Sequence, residues 1–112
     1  MKGKVVLLTS DTIGAAENGL GATILETFLT LVKQQEQLPA AVFCMNRGVL
    51  ALTSQSLASL QLAELEELGV PVLACKTCAD HYGIADKLAA GQISGMGTFV
   101  ELAASHEVLT IG

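Results

Sequence analysis

The stretch VPVLACKTCADHYG, residues 70–83, indicates both the fold and the place of the chemistry. Residues 70–74 form an apolar run that is typical of a short buried strand, and residues 79–83 predict one turn of helix. Cys75 and Cys78 fall at the junction between the two. Because α/β proteins place their reactive groups at the carboxyl ends of strands, this order predicts an α/β fold with a thiol site at a strand end.

Outward from this stretch, strand and helix signals alternate along the chain. Apolar runs predict further strands at residues 5–9, 41–45 and 106–111. Apolar residues at helical spacing predict a helix over residues 20–35, and a shorter helix is expected around residues 98–104. Residues 49–52 are expected to be extended. The alternation predicts one domain over residues 1–112, a three-layer α/β/α sandwich with a mainly parallel sheet.

A further helix is expected between the second and third strands. Ser54 or Ser56 can accept the hydrogen bond that starts it, and Gly69 supplies a left-handed residue after its end. The apolar face that we expect it to bury is formed by Leu57, Leu60, Leu65 and Leu68.

The composition limits the kinds of function that the chain can perform. Six basic and eleven acidic residues give a net charge of −5, and aromatic residues make up 4%. Nucleic-acid binding needs a basic surface and usually stacking rings, so that class is disfavoured. Three cysteines, an odd number, fit a reducing compartment better than a disulfide framework.

The apolar content is high for a small domain. Hydrophobic residues make up 51% of the 112 positions, and mean hydropathy is +0.54. No apolar run approaches the roughly 18 residues that span a bilayer, so we expect part of the surplus to be buried between identical subunits. The first residues run directly into a strand without a signal peptide, which predicts a cytoplasmic protein.

The spacing of Cys75 and Cys78 is compatible with several roles. The two residues can be small buried hydrophobes, or a redox dithiol, although neither Pro39 nor Pro71 follows the pair as in thioredoxin-like chains. As a functional site, the amides of the following turn would stabilise a thiolate. A zinc site would add His81 and Cys44 as ligands, but residues on one short turn point in different directions.

The loop over residues 10–21 contains glycine and small residues after the first strand. Such loops can bind anions through backbone amides, but the glycine motifs of nucleotide-binding loops are missing, which favours a crossover loop. Glu17 can be a site carboxylate or a favourable charge near a helix start.

The order of these segments resembles the DsrE/DsrF-like family, and most closely the C-terminal domain of the selenium-metabolism proteins called YedF. The likeness covers nearly the whole chain. It is carried by residues 6–14, by Asn46-Arg47-Gly48-Val49, by residues 65–78 with the Cys-Lys-Thr-Cys block, and by residues 82–84, 86–88 and 91–94.

This resemblance implies a sulfurtransferase-like carrier of sulfur or selenium. In the sulfur-relay members one Cys after the third strand holds sulfur as a persulfide, with a Gly eight residues later, and Cys75 and Gly83 have that spacing. Cys78 would then be a partner thiol that can resolve the persulfide into a disulfide. The implied partners are a sulfur-donor or sulfur-acceptor protein, with no cofactor and no metal. The alternative is a non-catalytic binding or regulatory subunit with structural cysteines.

Overall fold

A computed structural model describes residues 1–112 as a parallel sheet of five strands with helices on both faces. The strand order is β4-β3-β2-β1-β5. The strands are β1 (Lys4–Leu8), β2 (Ala41–Cys44), β3 (Val72–Cys75), β4 (Gln92–Ser94) and β5 (Glu107–Ile111). The helices are α1 (Leu20–Lys33), α2 (Ala58–Glu67), α3 (Lys76–His81) and α4 (Met96–Ser105), and 3₁₀ turns cover Glu17–Gly19 and Asn46–Leu52.

The hydrophobic core lies on one face of the sheet. Strand residues that alternate along β1, β2 and β3 pack there against the buried sides of α1 and α2, and the Asn46–Leu52 turn adds Val49 and Leu52. Alternate strand residues point to the opposite face, where Phe43 contacts Phe99 of α4 at 5.1 Å between ring centroids. The three layers and the parallel sheet therefore agree with the predicted α/β/α sandwich.

Two predictions about the strands are wrong. The sheet has a short edge strand, β4, that is missing from the predicted strands, because Gln92-Ile93-Ser94 is too short and too polar to give a strand pattern. Residues 49–52 are not extended but belong to the 3₁₀ turn. A short apolar run that is buried on all sides has no periodicity that separates an extended from a helical backbone.

The buried face predicted for α2 is confirmed at Leu65 and wrong at the other three leucines. Leu57, Leu60 and Leu68 are 55%, 61% and 56% exposed, whereas Ala58, Leu62 and Leu65 are buried. The segment carries two leucine stripes, and packing against α1 selects one of them. The predicted end is confirmed, since Gly69 has φ +96°. At the start, Leu57 occupies the cap position, and Ser56 Oγ just before it accepts a hydrogen bond from the Ala58 amide at 3.2 Å.

None of the helices combines the length and the apolar character that crossing a membrane requires.

The 3₁₀ turn after β2 lies directly against the end of β1. A Cβ added to Gly48 would lie 2.1 Å from the carbonyl oxygen of Leu8, which no side chain can tolerate. The amide of Met45 donates to the same Leu8 oxygen at 3.0 Å. Only glycine at position 48 therefore allows the turn to lie this close to the sheet.

We expect Gly48→Ala to lower the free energy of unfolding by about 2–3 kcal/mol, because the added methyl group pushes the turn away from β1. Gly97→Ala is the matched control, since a Cβ at that position in α4 meets nothing within 4 Å. It should raise stability by about 0.5–1 kcal/mol through helix propensity. Denaturant unfolding of both variants checks this, and equal effects would contradict the close approach at Gly48.

Candidate thiol site

Cys75 lies at the end of β3, as the sequence predicts, and directly precedes α3, which begins at Lys76 and not at residue 79 as expected. Because β3 lies between β2 and β4, its carboxyl end has a neighbouring strand on each side. The Cys75 backbone is extended, with φ −61° and ψ 121°, and the residue is only 4% exposed. The strand therefore places this thiol at the carboxyl end of the sheet, where it is shielded from solvent.

Cys78 lies one turn later, in the middle of α3, and is half-buried. Its inner side packs against the hydrophobic core. Its outer side lines an open cleft of about 290 Å³ together with Asn46, Thr77, His81 and Tyr82. Of the two thiols, Cys78 is the one that a molecule in solution reaches.

The ionisation of Cys78 depends on three neighbouring influences. Partial burial is the largest, and it raises the pKa of the thiol above its ordinary value. The backbone N–H of Asn46 donates a hydrogen bond to Cys78 Sγ at 3.0 Å, which lowers the pKa. The nearby Cys75 thiol raises it. Cys75 is thus close enough to act on the Cys78 thiol, and the Asn46 amide is the group that favours the Cys78 thiolate.

Cys44 is separate from this pair. It is fully buried in the core, where desolvation raises the pKa of its thiol from 9.0 to about 12. Cys44 pairs in register with Ala74, so that Cys75, the next residue of β3, points to the opposite face. All three cysteines are free thiols.

The ligands considered for zinc do not converge. No group of three or more His, Cys, Asp and Glu side chains is arranged to hold a metal ion. The His81 ring packs edge-on against the Tyr82 ring at 4.9 Å between centroids. Lys76 does not stabilise a thiolate of this pair, since its ammonium group pairs with Asp80 at 2.7 Å on the exposed side of α3.

The loop between β1 and α1 is held by its own backbone. The amide of Ile13 donates to the Gly21 carbonyl at 3.0 Å, and the amides of Gly19 and Gly21 both donate to the Ala16 carbonyl. These amides have no hydrogen left for an anion, which favours the crossover loop over an anion site. Glu17 is exposed and belongs to a 3₁₀ turn.

Asn46 is the residue of this site that the sequence did not assign. In the sequence it stands only within the Asn46-Arg47-Gly48-Val49 segment of the family likeness. A signal was available, because asparagine directly after a strand is typical of a left-handed backbone position, and such positions cluster at functional sites.

Comparison with known proteins gives a consistent result. A family model described as the DsrE/DsrF-like family matches residues 4–111. The crystal structure of YchN from Escherichia coli is similar with a TM-score of 0.75 and 23% identity, over 99% of this chain and 100% of that one. MTH1491, a protein of unknown function from Methanobacterium thermoautotrophicum, has a TM-score of 0.61 and 20% identity, over 96% and 97%.

A further similar structure is BT1422 from Bacteroides thetaiotaomicron, another protein of unknown function. Its TM-score is 0.57 at 15% identity, with 97% of this chain and 95% of that chain covered. At these identities the similarity shows the fold. No curated protein matches the chain in sequence.

We expect iodoacetamide to label Cys78 first and Cys44 last in the folded protein. Cys78 faces an open cleft, whereas Cys44 is buried and has a pKa of about 12, so that it has almost no thiolate near neutral pH. Peptide mapping at increasing times measures the order. In denaturant the three rates should become similar, and labelling of Cys44 before Cys78 in the native protein would contradict the placement of the site.

Proposed function

Because the chain belongs to the DsrE/DsrF-like family, we propose that it is a sulfur carrier that holds sulfur as a persulfide on Cys75, with Cys78 as its partner thiol. The observation that carries the proposal is the pair of neighbouring free thiols at the carboxyl end of β3. One of them is covered and the other faces a cleft. Selenium, which forms the corresponding bonds, is a second cargo of the same chemistry.

The unequal depth of the two thiols supports an order of events. A donor persulfide entering the cleft meets Cys78 first. The Cys78 thiolate attacks the outer sulfur of the donor, forms the Cys78 persulfide and releases the donor thiolate. The Cys75 thiolate then attacks that outer sulfur, so that the persulfide moves to Cys75 and Cys78 becomes a thiolate again. Neither step needs an oxidant or a reductant, because the outer sulfur moves from one thiolate to another at the oxidation level of a persulfide.

Release of the carried sulfur also proceeds by thiol exchange. The Cys78 thiolate can take the outer sulfur back from Cys75, and the thiolate of an acceptor protein then takes it from the Cys78 persulfide in the cleft. Alternatively, Cys78 attacks the inner sulfur of the Cys75 persulfide, expels hydrosulfide and closes a Cys75–Cys78 disulfide. In that route the transferred sulfur is reduced to sulfide and the two cysteines are oxidised, so an external thiol reductant must reopen the disulfide before the next cycle.

The distribution of apolar side chains supports self-association. A single helix, α4, packs on the second face of the sheet, and none of its residues is buried. Met96 and Val100 of this helix are 46% and 58% exposed. We propose that copies of the chain pack together and that a sulfur-donor or sulfur-acceptor protein binds at the cleft of Cys78.

Incubation with a cysteine desulfurase and L-cysteine should add 32 Da to the chain, the mass of one sulfur atom. The adduct should be absent when Cys75 and Cys78 are both replaced by Ser. Cys78→Ser alone should slow loading at least tenfold, because the remaining thiol is covered. Cys75→Ser should still load, but its adduct should decay faster because it stays exposed in the cleft. Intact mass spectrometry over time measures all four proteins.

Cys44→Ala is the matched control for this experiment. It removes a cysteine from the core and should leave both loading and decay unchanged. Loading that survives the double substitution, or that is lost in Cys44→Ala while the fold is kept, would refute the proposal. A chain that never loads, with all thiols sluggish, would favour the alternative role of a binding subunit.

Light scattering at micromolar concentration should give a mass of at least two chains of 11.6 kDa each. A mass of one chain would show that the exposed apolar residues remain in contact with water, against the proposed self-association.

A further inference from the structure

Asn46 has an unusual backbone conformation beside the cleft thiol. Its φ is +52°, in the left-handed region, and the residues that share this property without being glycine are Glu17 and Asn18. Those two lie together in the other 3₁₀ turn. At Asn46 the left-handed backbone follows the extended Met45, with φ −138°, and its N–H points at Cys78 Sγ at 3.0 Å.

The side chain of Asn46 does not explain this conformation. It is exposed, and its amide group makes no hydrogen bond with the rest of the chain. Asparagine is nevertheless the residue besides glycine that adopts the left-handed region at low cost. The group of Asn46 that contacts the thiol site is therefore its backbone N–H.

The turn around Asn46 is held in place from both sides. The Met45 amide donates to the Leu8 carbonyl at 3.0 Å, and the Gly48 amide donates to the Met45 carbonyl at 2.8 Å. Arg47 reaches Asp11, after β1, through Nη2 at 3.3 Å and Nε at 3.4 Å. The Asn46 N–H is thus fixed before any reaction begins, which is what electrostatic stabilisation of a charged group requires.

We propose that Asn46 is a positioning residue whose left-handed backbone aims its N–H at Cys78 and stabilises the thiolate of that residue. This inference rests on the proposed function and deepens it, because it names the group that prepares the entry thiol. The same N–H would stabilise Cys78 as a leaving group, when Cys75 takes the outer sulfur and the electrons of the broken S–S bond remain on Cys78.

The influences on the Cys78 pKa agree with this role, since the Asn46 hydrogen bond opposes the effect of burial. The other titratable or charged groups near Cys78 are Cys75 at the end of β3, His81 and Tyr82 in the cleft, and the Lys76–Asp80 pair on α3. Arg47, on the turn itself, is neutralised by Asp11. Variants at position 46 change none of these groups, so their comparison isolates the amide.

The test is the pH dependence of Cys78 alkylation in the protein before any sulfur is loaded. Asn46→Gly keeps both the left-handed backbone and the N–H, and should leave the Cys78 pKa within about 0.3 unit of wild type. Asn46→Val places a β-branched residue in a conformation that it strongly resists, and should raise the pKa by about one unit. The alkylation rate at pH 7 should then fall about threefold to tenfold.

A second variant removes the N–H alone. In the Asn46→Gly chain, an ester in place of the amide between positions 45 and 46 deletes the donor and should raise the Cys78 pKa by about one unit over Asn46→Gly. Circular dichroism and denaturant unfolding establish that each variant is folded. An ester variant with an unchanged pKa would overturn the proposal. So would an Asn46→Gly chain that behaves like Asn46→Val, because the side chain would then be the active group.

These outcomes are separate from the outcome of sulfur loading. Iodoacetamide reports the Cys78 thiolate whether or not the chain accepts sulfur. If the variants shift the pKa as expected while the wild type shows no 32 Da adduct, the role of Asn46 stands and the carrier function fails. If the wild type loads and the pKa does not move in the ester variant, the carrier function stands and the role of Asn46 fails.

Discussion

The contact between the Asn46–Leu52 turn and the end of β1 is the constraint on which the thiol site depends. Gly48 lies against the Leu8 carbonyl with no room for a Cβ, and β1 and β2 are in register up to the pair Leu8 and Cys44. The turn therefore cannot move away from the sheet, and its first residue is brought beside α3. The position of a hydrogen-bond donor near Cys78 follows from backbone packing two strands away from β3.

In the proposed sulfur carrier, the arrangement of the two thiols would divide loading from storage, with Cys78 accessible and Cys75 covered. A covered persulfide is protected from stray thiols and oxidants, but it cannot be loaded from solution. A persulfide on an exposed thiol can be loaded from solution, but it is open to attack by stray thiols and oxidants. Cys75 and Cys78 together offer both properties. Cys75, at the end of β3, is covered, whereas Cys78, one helical turn later in α3, faces the cleft. A spacing of three residues is what one turn of helix requires for the sulfur atoms to be neighbours.

The two faces of the sheet differ in how well they are covered. The face under α1 and α2 contains the hydrophobic core, including Cys44. The other face has α4, which contributes Phe99 against Phe43 but leaves Met96 and Val100 in contact with water. Part of the high apolar content of the sequence is therefore exposed on this face, and further exposed apolar side chains lie on the other side, among them Leu57, Leu60 and Leu68.

The sequence by itself determined the alternation of the main strands and helices, the parallel sheet and the placement of Cys75 at a strand end. These features follow from local periodicity and from glycine or serine at helix ends, such as Ser56 and Gly69. The edge strand β4 and the turn over residues 49–52 could not be predicted, because short segments carry no distinguishing pattern. Which leucines of the α2 segment are buried was decided by packing against α1, because leucines occur on more than one side of the segment. The depth of the two thiols and the N–H of Asn46 beside Cys78 were likewise decided by the tertiary structure, because they depend on residues that lie 32 positions apart in the chain.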